Sequence, residues 1–292
     1  MSLSAQLHRA IEDTLETRIV TLRPLSGGDI NDAFSLELSD GRNVFLKTHV
    51  AAPTDMFWAE AKGLAWLSEA GALRVPEVIA VSDPGIKGPP YLILEMLTPG
   101  DRVGDFDDRL GRGLAALHQT GSKHFGWSSD NYIGALPQGN SACDDWVEFY
   151  REARLRPMIA MARQRGHGDA ALERRFDRLF EYLSEHVGSP EPPARLHGDL
   201  WGGNLHVAPN GEPALIDPAV YGGHREVDLA MMKLFGGFSQ RVFDAYHEAY
   251  PLQPGFEERV PLYQLYPLLV HLVLFGTGYR HQVDAALSRL GS

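Results

Sequence analysis

The sequence predicts an α+β fold of two lobes, a small N-terminal lobe built on an antiparallel sheet and a larger, mainly helical C-terminal lobe. Short extended segments and turns fill the first part of the chain, whereas long amphipathic helical patterns dominate from residue 105 onward. The 292 residues, of which 44% are apolar, are enough to bury the core of one large domain or two modest ones. We therefore expect an N-terminal lobe over residues 1–97 and a C-terminal lobe over residues 98–292.

The N-terminal lobe is predicted to begin with one helix and three strands. Apolar residues recur at helical spacing over residues 3–15, and residues 18–25 then have an extended pattern. Alternating segments over residues 33–38 and 43–47 flank a Ser-Asp-Gly turn, and this arrangement predicts a hairpin.

A second helix and two further strands complete the predicted lobe. Residues 56–70 have helical propensity, with apolar side chains at helical spacing. The apolar segments 75–81 and 91–96 are predicted strands. Together these segments predict a five-stranded antiparallel sheet.

The C-terminal lobe is predicted to be mainly helical. Its long amphipathic patterns predict helices over residues 107–120, 143–165, 170–186, 225–237, 239–250 and 262–276. We expect the last helix to be buried, because it is strongly apolar but is interrupted by Pro267 and His271 and is too short for a membrane span of about 20 residues. An aromatic, turn-rich loop over residues 125–138 has the composition of loops that can line ligand sites.

The most specific pattern of the chain lies in the middle of the second lobe. Residues 195–207 read R-L-H-G-D-L-W-G-G-N-L-H-V, and A-L-I-D-P follows at residues 214–218. Transfer of a γ-phosphoryl group needs a carboxylate that orients or accepts the proton of the attacking hydroxyl, and hard oxygen ligands for Mg²⁺. Asp199 suits the first role, while the Asn204 amide and the Asp217 carboxylate suit the second. This spacing is typical of a protein-kinase-like two-lobed fold that uses ATP.

The residues between Asn204 and Asp217 predict a hairpin. Apolar residues 205–207 and 214–216 flank Asn-Gly at positions 210–211, which is a strong turn signal between strands. Such a hairpin would return Asp217 to the side of Asn204. Any one of the polar residues alone could be an ordinary turn or helix cap, but three at matching spacing favour the catalytic interpretation.

Lys47 and Glu60 are predicted to orient the phosphates of ATP. Lys47 ends the third strand, and Glu60 lies thirteen residues later on the second predicted helix, an arrangement that resembles the strand lysine and helix glutamate of kinases. The alternative is a solvated lysine at a strand edge and an exposed glutamate. The downstream motif favours the ion pair.

Two further stretches of the first lobe are candidate nucleotide contacts. Gly27 and Gly28 follow the first strand, and because they lack a Cβ atom their backbone N–H groups could approach phosphate oxygens. Two glycines can equally mark a plain turn. Glu95, Met96 and Leu97 fall at the predicted connection between the lobes, where backbone groups would face adenine.

Charge and composition narrow the possible partners. The net charge of −11, from 38 acidic and 27 basic residues, disfavours nucleic acid or an anionic membrane as a partner. The single cysteine, Cys143, excludes an intrachain disulfide framework and a cysteine zinc site. Because the N-terminus has no apolar signal region, we expect a cytoplasmic protein.

Several motifs in this chain resemble the fructosamine kinase (ketosamine-3-kinase) family, a branch of the aminoglycoside-phosphotransferase-like kinases. The resemblance covers nearly the whole chain, and its specific marks are H-G-D-L-W-G-G-N at 197–204, I-D-P-A at 216–219, Y-G-G-H-R-E-V-D-L-A at 221–230, F-G-G-F at 235–238, and D-N-Y-I-G, P-Q-G-N and W-x-x-F between 130 and 149. It implies ATP-dependent phosphorylation of the sugar O3′ hydroxyl of a ketosamine, an adduct on lysine or another amine. The resulting 3-phosphate then decomposes and frees the amine.

The resemblance also implies a role for each candidate residue. Asp199 would be the catalytic base, Asn204 and Asp217 the Mg²⁺ ligands, and Lys47 with Glu60 the pair that orients the ATP phosphates. Trp201 and His224 are candidates for contacts with the substrate, although Trp201 could pack beneath the loop and His224 could form structural hydrogen bonds. We expect Asp228 to brace the catalytic loop, which is the name used here for residues 197–204.

Two departures and several alternatives remain. The Asp-Phe-Gly of protein kinases is here Asp217-Pro218-Ala219, so no phenylalanine-based switch is expected. Asp29 stands where some family members have a cysteine, which argues against redox control of that loop. An aminoglycoside- or choline-type kinase and a catalytically silent nucleotide-binding module are the alternatives. The sequence leaves open which ketosamine sugar is used, whether the adduct is free or protein-bound, and whether the protein is a monomer or a dimer.

Overall fold

A computed structural model of the protein describes residues 3–25 and 31–292. The loop predictions for Gly27, Gly28 and Asp29 lie outside the described residues. In chain order the helices and strands are α1 Ala5–Leu15, β1 Ile19–Leu25, β2 Asp32–Leu38, β3 Asn43–Thr48, α2 Met56–Glu69, β4 Val78–Val81, β5 Tyr91–Glu95, α3 Phe106–Gln119, β6 Asn131–Ile133, β7 Leu136–Gln138, α4 Trp146–Phe149, α5 Arg156–Gln164, α6 Ala170–Glu181, α7 Leu183–His186, β8 Ala194–Leu196, β9 Leu205–Val207, β10 Pro213–Leu215, β11 Tyr221–Gly223, α8 Glu226–Phe235, α9 Gln240–Ala249, α10 Phe256–Phe275 and α11 Arg280–Arg289.

The described chain forms two compact units. The first comprises Met1–Gly104 and His206–Asp217, and the second comprises Asp105–Leu205 and Pro218–Ser292. This division differs from the predicted 1–97 and 98–292, because the segment after β9 packs on the end of the first lobe. Gly100 N donates to Val207 O at 3.1 Å, and Leu97 shares a small apolar cluster with Ala208 and Ala214.

The first unit is built on a five-stranded antiparallel sheet in the order β1-β2-β3-β5-β4, as the sequence predicts. Strand residues alternate between two apolar layers. Val44 and Leu46 of β3 pack with α1 on one face, whereas Phe45 lies with α2 on the other. Lys47 follows Leu46, so the alternation turns its side chain toward α2.

The predicted hairpin after Asn204 is confirmed. Strands β9 and β10 form a two-stranded sheet, and its turn places Gly211 at φ 81°, in the left-handed region that favours glycine. Leu215 N donates to Arg74 O at 2.8 Å, and this bond anchors the hairpin within the first unit just before Asp217.

The second unit surrounds the apolar helix α10, against which α5, α8 and α11 pack. This helix begins at Phe256, six residues before the predicted start, and continues through Pro261 and Pro267. The His271 ring is hydrogen-bonded to the Pro267 carbonyl oxygen at 2.8 Å, whereas Pro267 itself has no N–H to donate to the carbonyl oxygen one turn earlier. Within residues 3–25 and 31–292, no helix is long and apolar enough to cross a membrane.

Several elements of the second unit were not predicted. The expected helix over 143–165 contains a π-helical turn over Tyr150–Leu155, and the helix over 170–186 is interrupted at Tyr182. The loop over 125–138 contains the β6–β7 hairpin. Strand β8 pairs with β11, and α11 follows a 3₁₀ turn. Strands of three residues are too short to show a hydrophobic period.

Candidate active site

In the first unit, Lys47 lies between two carboxylates. Its Nζ atom is 3.0 Å from both Glu60 carboxylate oxygens and 3.0 Å from Asp217 Oδ1. The predicted ion pair between Lys47 and Glu60 is therefore present. The contact between Lys47 and Asp217 was not predicted, because sequence spacing gives no direct signal for a pair 170 positions apart.

The electrostatics of this triad are unbalanced. Burial opposes the charge on Lys47, but Asp217 and Glu60 outweigh it and raise the pKa of the Lys47 amine. Burial raises the pKa of the Glu60 carboxyl, with Lys47 acting in the opposite direction and Asp217 reinforcing the rise. The triad of Lys47, Glu60 and Asp217 thus has one cation and two carboxyl groups. A further cation beside the carboxyl groups would therefore be stabilised.

Asp217 is one of two described non-glycine residues with a positive φ, the other being Glu16. The φ of Asp217 is 53°, in a region that costs most side chains free energy but that aspartate tolerates better than most. Its side chain is 43% exposed, in contrast to the nearly buried Lys47. An accessible carboxylate beside an unbalanced charge is a hard oxygen donor of the kind that Mg²⁺ binds.

In the second unit, Asn204 is tied to Asp199. Asn204 Nδ2 donates to the backbone oxygen of Asp199 at 2.7 Å and to Asp199 Oδ2 at 3.2 Å. A 3₁₀ turn over Gly202–Asn204 brings the two residues together, closed by a bond from Asn204 N to Trp201 O. Because the amide nitrogen is used within the loop, the amide oxygen is the end suited to a metal ion. The predicted proximity of Asn204 to Asp217, which belong to different units, stays a prediction.

Asp228 holds the backbone of the catalytic loop just before Asp199, as the sequence led us to expect. This buried carboxylate accepts hydrogen bonds from His197 N at 2.8 Å and Gly198 N at 2.9 Å. Its third contact is His118 Nε2 at 3.2 Å, and His118 Nδ1 is in turn bonded to Tyr246 OH at 2.8 Å. Burial alone would raise the pKa of Asp228, but hydrogen bonding and the charge of His118 lower it. Sequence reasoning missed His118, which lies on α3, far along the chain.

Gly198 is required by the path of the same loop. Its φ is +82°, and a Cβ atom there would lie 2.0 Å from the carbonyl oxygen of Ala219. Ala219 N donates to His197 O, so the two chain segments are in direct backbone contact. The backbone before Asp199 is therefore fixed both by Asp228 and by this close approach.

Side chains of residues 131–154 form a second brace, and a role of the loop 125–138 in lining a ligand site stays a prediction. Asn131 Nδ2 donates to Val220 O at 2.8 Å, and Gln138 Nε2 donates to Ala219 O at 3.1 Å. Arg154, fully buried on the π-helical turn, donates to the Asn140 side chain at 2.6 Å. These side chains hold the segment that follows Asp217.

Trp201 packs against its own loop but stays partly exposed. Its side chain lies over Gly203, where a Cβ atom would come within 2.3 Å of the ring, and the residue is 40% exposed. The Trp201 ring meets the Phe235 ring at a centroid distance of 6.4 Å in an edge-to-face contact. A held yet accessible ring two positions after Asp199 is well placed to touch a substrate.

His224 is buried, in the structural arrangement that the sequence left open. Its ring stacks on Tyr263 at a centroid distance of 5.1 Å, and its Nδ1 accepts a hydrogen bond from Glu226 N at 3.3 Å. Burial lowers the pKa of His224 to about 4, against a smaller opposing effect of Glu191 at 3.8 Å. We therefore do not assign His224 a substrate contact.

Protonation of His224 is expected to destabilise the fold in acid. The unfolded chain takes up this proton below about pH 6.5, whereas the folded protein takes it up only near pH 4. Stability from this residue is thus complete above pH 6.5 and is lost as the pH falls toward 4. Besides Glu191, the charged groups acting on His224 are Arg225, Arg259 and His118. Denaturant titrations at pH 7 and 4.5 should show a loss about 2 to 3 kcal/mol larger in the wild type than in His224→Asn. Equal losses would contradict this assignment.

The predicted adenine-side residues have defined partners. Glu95 N donates to Glu77 O at 2.8 Å, and the Glu95 carboxylate accepts a hydrogen bond from the Arg74 side chain. Leu97 is buried, and Met96 is half-buried. Their contact with adenine, like the phosphate contact of Gly27 and Gly28, stays a prediction.

Comparison with known proteins identifies the family of the chain. The family model for fructosamine kinase matches residues 2–291. A protein of Synechocystis sp. described as "Probable ketoamine kinase" is 41% identical over 276 residues, which cover 93% of this chain and 90% of the relative. The "Protein-ribulosamine 3-kinase, chloroplastic" of Oryza sativa subsp. japonica is 38% identical over 267 residues, which cover 90% of this chain and 77% of the relative.

Solved structures show the same relationship at the level of the fold. A Thermobifida fusca protein assigned as a fructosamine-3-kinase gives a TM-score of 0.88 at 36% identity, covering 99% of this chain and 100% of that one. An aminoglycoside phosphotransferase gives a TM-score of 0.62 at 17% identity, covering 98% of this chain and 99% of that one, and it shares the protein-kinase-like fold. The extent of the family match and the identity with its relatives show that the chain belongs to the fructosamine kinase family.

Proposed function

We propose that this chain is an ATP-dependent kinase that phosphorylates the O3′ hydroxyl of ketosamines and so leads to release of the amine. The observation that carries the proposal is the catalytic loop, in which Asn204 holds Asp199 and Asp228 fixes the backbone before it. The relatives described as ketoamine kinase and protein-ribulosamine 3-kinase support a ketosamine as the acceptor.

The residues of the first unit would bind the nucleotide. Lys47, held by Glu60, would contact phosphate oxygens of ATP, and Asp217 with Asn204 would hold Mg²⁺. When bound, the ion supplies positive charge that offsets charge developing on the transferred phosphoryl group. The charge imbalance of the triad is the structural feature that favours this assignment.

Asp199 would act on the acceptor. Its carboxylate would orient the sugar hydroxyl and accept its proton as the oxygen attacks the γ-phosphorus. The bond from Asn204 Nδ2 to Asp199 Oδ2 restricts the orientation of the carboxylate before substrate binds. This pre-organisation contributes to transfer because the geometry does not have to form during the reaction.

Trp201 would contact the amine side of the substrate. The nitrogen of a ketosamine is a basic amine that carries a positive charge near neutral pH, and an aromatic face attracts such a cation. The exposed Trp201 ring follows Asp199 by two positions. We also propose a cytoplasmic location, as the sequence predicts. The sequence does not distinguish a monomer from a dimer.

Phosphate addition measured by mass spectrometry tests the proposed function. The acceptors are fructosyl-lysine, ribulosyl-lysine, an aminoglycoside and choline, each with ATP and Mg²⁺, and the Asp199→Ala protein is the control. A gain of one phosphate on the ketosamines only is the expected result, and the two sugars would then be ranked by rate. Transfer only to the aminoglycoside or choline would contradict the proposed acceptor. Nucleotide binding without any transfer would favour a silent module.

The Asp217→Ala protein is expected to bind Mg·ATP at least tenfold more weakly than wild type. Removing Asp217 takes away a metal ligand and leaves Lys47 with one carboxylate partner instead of two. Calorimetric titration with a non-hydrolysable ATP analogue, with and without Mg²⁺, checks this result. Asp40→Ala is a suitable control, because Asp40 lies on an exposed turn, where its carboxylate pairs with Arg42. An affinity unchanged by Asp217→Ala would remove the residue from the metal site.

A further inference from the structure

Arg154 is a buried cation that is bound by uncharged groups. Its side chain is fully buried, on the π-helical turn between α4 and α5. Nη1 donates to the carbonyl oxygens of Gly139 and Ala153 at 2.7 and 3.0 Å, and Nη2 donates to Asn140 Oδ1 at 2.6 Å. Among the residues that the structure describes, no carboxylate forms an ion pair with Arg154, and its buried Nε has no hydrogen-bond partner. A buried charge without a paired carboxylate costs free energy, so fold stability alone does not explain Arg154.

Three aromatic rings lie against the guanidinium group. Its Cζ atom is 3.8 Å from the ring centroid of Tyr221, 4.6 Å from that of Phe149 and 5.6 Å from that of Tyr266. Aromatic faces attract a cation, and the attraction is stronger where water is excluded. The rings stabilise the charge but do not neutralise it. Arg154 is therefore a source of positive potential inside the second unit.

The Tyr221 ring connects Arg154 with the catalytic loop. A Cβ atom on Gly198 would lie 3.4 Å from Tyr221 Cε1, which is the distance of ordinary van der Waals contact. Gly198 directly precedes Asp199 in the chain. One aromatic ring thus approaches both the guanidinium group and the backbone just before the proposed base.

Tyr266 forms a second connection to the same place. Its hydroxyl donates to Gln138 Oε1 at 2.7 Å, and Gln138 Nε2 donates to Ala219 O. This carbonyl oxygen is the atom that leaves no room for a side chain at Gly198. Both tyrosines that face Arg154 therefore bear on the backbone at Gly198.

Arg154 and two aspartates of the active site act on these tyrosines with opposite sign. Burial raises the pKa of Tyr221, and Arg154 opposes this rise whereas Asp228 adds to it. Burial also raises the pKa of Tyr266, and here Arg154 opposes the rise whereas Tyr221 and Asp199 add to it. The buried cation and the two carboxylates are thus close enough to attract each other across the rings.

We propose that Arg154 is a positioning residue for phosphoryl transfer, which holds the catalytic loop through Tyr221 and Tyr266 so that Asp199 faces the acceptor hydroxyl. The inference rests on the proposed function for the role of Asp199. A residue with this role affects the rate of transfer more than the binding of either substrate.

The Arg154→Met protein tests the role, because methionine fills part of the space but carries neither the charge nor the donors. The acceptor is whichever of fructosyl-lysine and ribulosyl-lysine wild type phosphorylates faster. We expect kcat to fall at least tenfold, which corresponds to about 1.4 kcal/mol. KM of the acceptor and Kd of a non-hydrolysable ATP analogue with Mg²⁺ should stay within threefold of wild type. The stoichiometry of the calorimetric titration gives the concentration of sites, so unfolded protein does not lower kcat.

Arg154→Lys supplies the conservative variant, since lysine keeps the charge but not the planar fork. Its kcat should be at least threefold higher than that of Arg154→Met and at least twofold lower than that of wild type. If Arg154→Met does not fold, the comparison of Arg154→Lys with wild type decides. A wild-type kcat in Arg154→Lys would then reject the proposal.

Arg175→Met is the matched control. Arg175 of α6 is bonded to Asp284, Ser288 and Ser292, which lie in or after α11 and outside the catalytic loop. Its loss should lower the midpoint of urea unfolding but leave kcat per site within twofold of wild type. A fall of less than tenfold in Arg154→Met, or an equal fall in Arg175→Met, would overturn the proposal. So would the absence of any recovery in Arg154→Lys.

Hydrogen exchange separates failure of this role from failure of the proposed function. Gly198 N donates to the buried Asp228 carboxylate, so its amide should exchange slowly in wild type. In Arg154→Met a peptide covering residues 197–204 should exchange at least fivefold faster, while a peptide covering β3 and the loop peptide of Arg175→Met should match wild type. If wild type phosphorylates no ketosamine, the proposed function fails and exchange alone decides the role of Arg154. Unchanged exchange of the loop peptide in Arg154→Met would reject it.

Discussion

The Asp199→Ala protein is expected to transfer phosphate at least a hundredfold more slowly than wild type while binding Mg·ATP nearly as well. A positioned general base contributes roughly 10²- to 10⁴-fold to such a reaction. Nucleotide affinity should survive, because the Lys47 triad belongs to the first unit and the backbone oxygen that holds Asn204 is kept in the variant. Single-turnover phosphate transfer and a separate nucleotide titration measure the two effects independently.

The Asp199→Asn protein sharpens this test. Asparagine keeps the size of the side chain but cannot accept the proton, so its transfer rate should be as low as that of Asp199→Ala. A rate within tenfold of wild type in either protein would remove Asp199 from its assigned role. A large loss of nucleotide affinity in both would instead point to a role for Asp199 in the metal site.

The Asp228→Asn protein is expected to lose about 3 kcal/mol of unfolding free energy. Asp228 is fully buried and accepts hydrogen bonds from two backbone N–H groups and from His118. An amide of the same size must direct its own N–H group toward at least one of these donors, which leaves buried polar groups unsatisfied. Urea or guanidinium denaturation at pH 7 checks the value.

A second aspartate–histidine pair supplies the control for this measurement. Asp144 Oδ1 lies 2.8 Å from His124 Nδ1, but the Asp144 side chain is 91% exposed. Asp144→Asn should change the unfolding free energy by less than about 0.5 kcal/mol, because water replaces the lost contact. If both variants lose the same small amount, Asp228 does not brace the catalytic loop in the way described.

Predictions from the sequence were most accurate for structural features that depend on residues close together in the chain. Alternating apolar residues predicted the five-stranded sheet, and the Asn-Gly turn predicted the hairpin before Asp217. The side-chain alternation of β3 also explains why Lys47 meets Glu60, since Leu46 occupies the opposite face. Motif spacing identified Asp199 and Asn204, which the 3₁₀ turn brings together.

Contacts between distant positions could not be predicted in this way. The bonds of His118 to Asp228 and of Lys47 to Asp217 join residues 110 and 170 positions apart, and no periodic pattern links them. The start of α10 was placed too late because the prediction followed the apolar run from Leu262 onward, whereas the helix already begins with the more polar residues 256–261. His224 was chosen from its motif, but burial cannot be inferred from a motif alone.

The close approach at Gly198 has a consequence for the genetics of the protein. Any other residue at this position would place a Cβ atom 2.0 Å from the Ala219 carbonyl oxygen and would also have to adopt a φ of +82°. A missense codon there is therefore expected to disrupt the loop, and with it function, although it changes no group that takes part in the proposed reaction. No substitution at this position is conservative, because the backbone of Ala219 already occupies the space that even the smallest side chain would need.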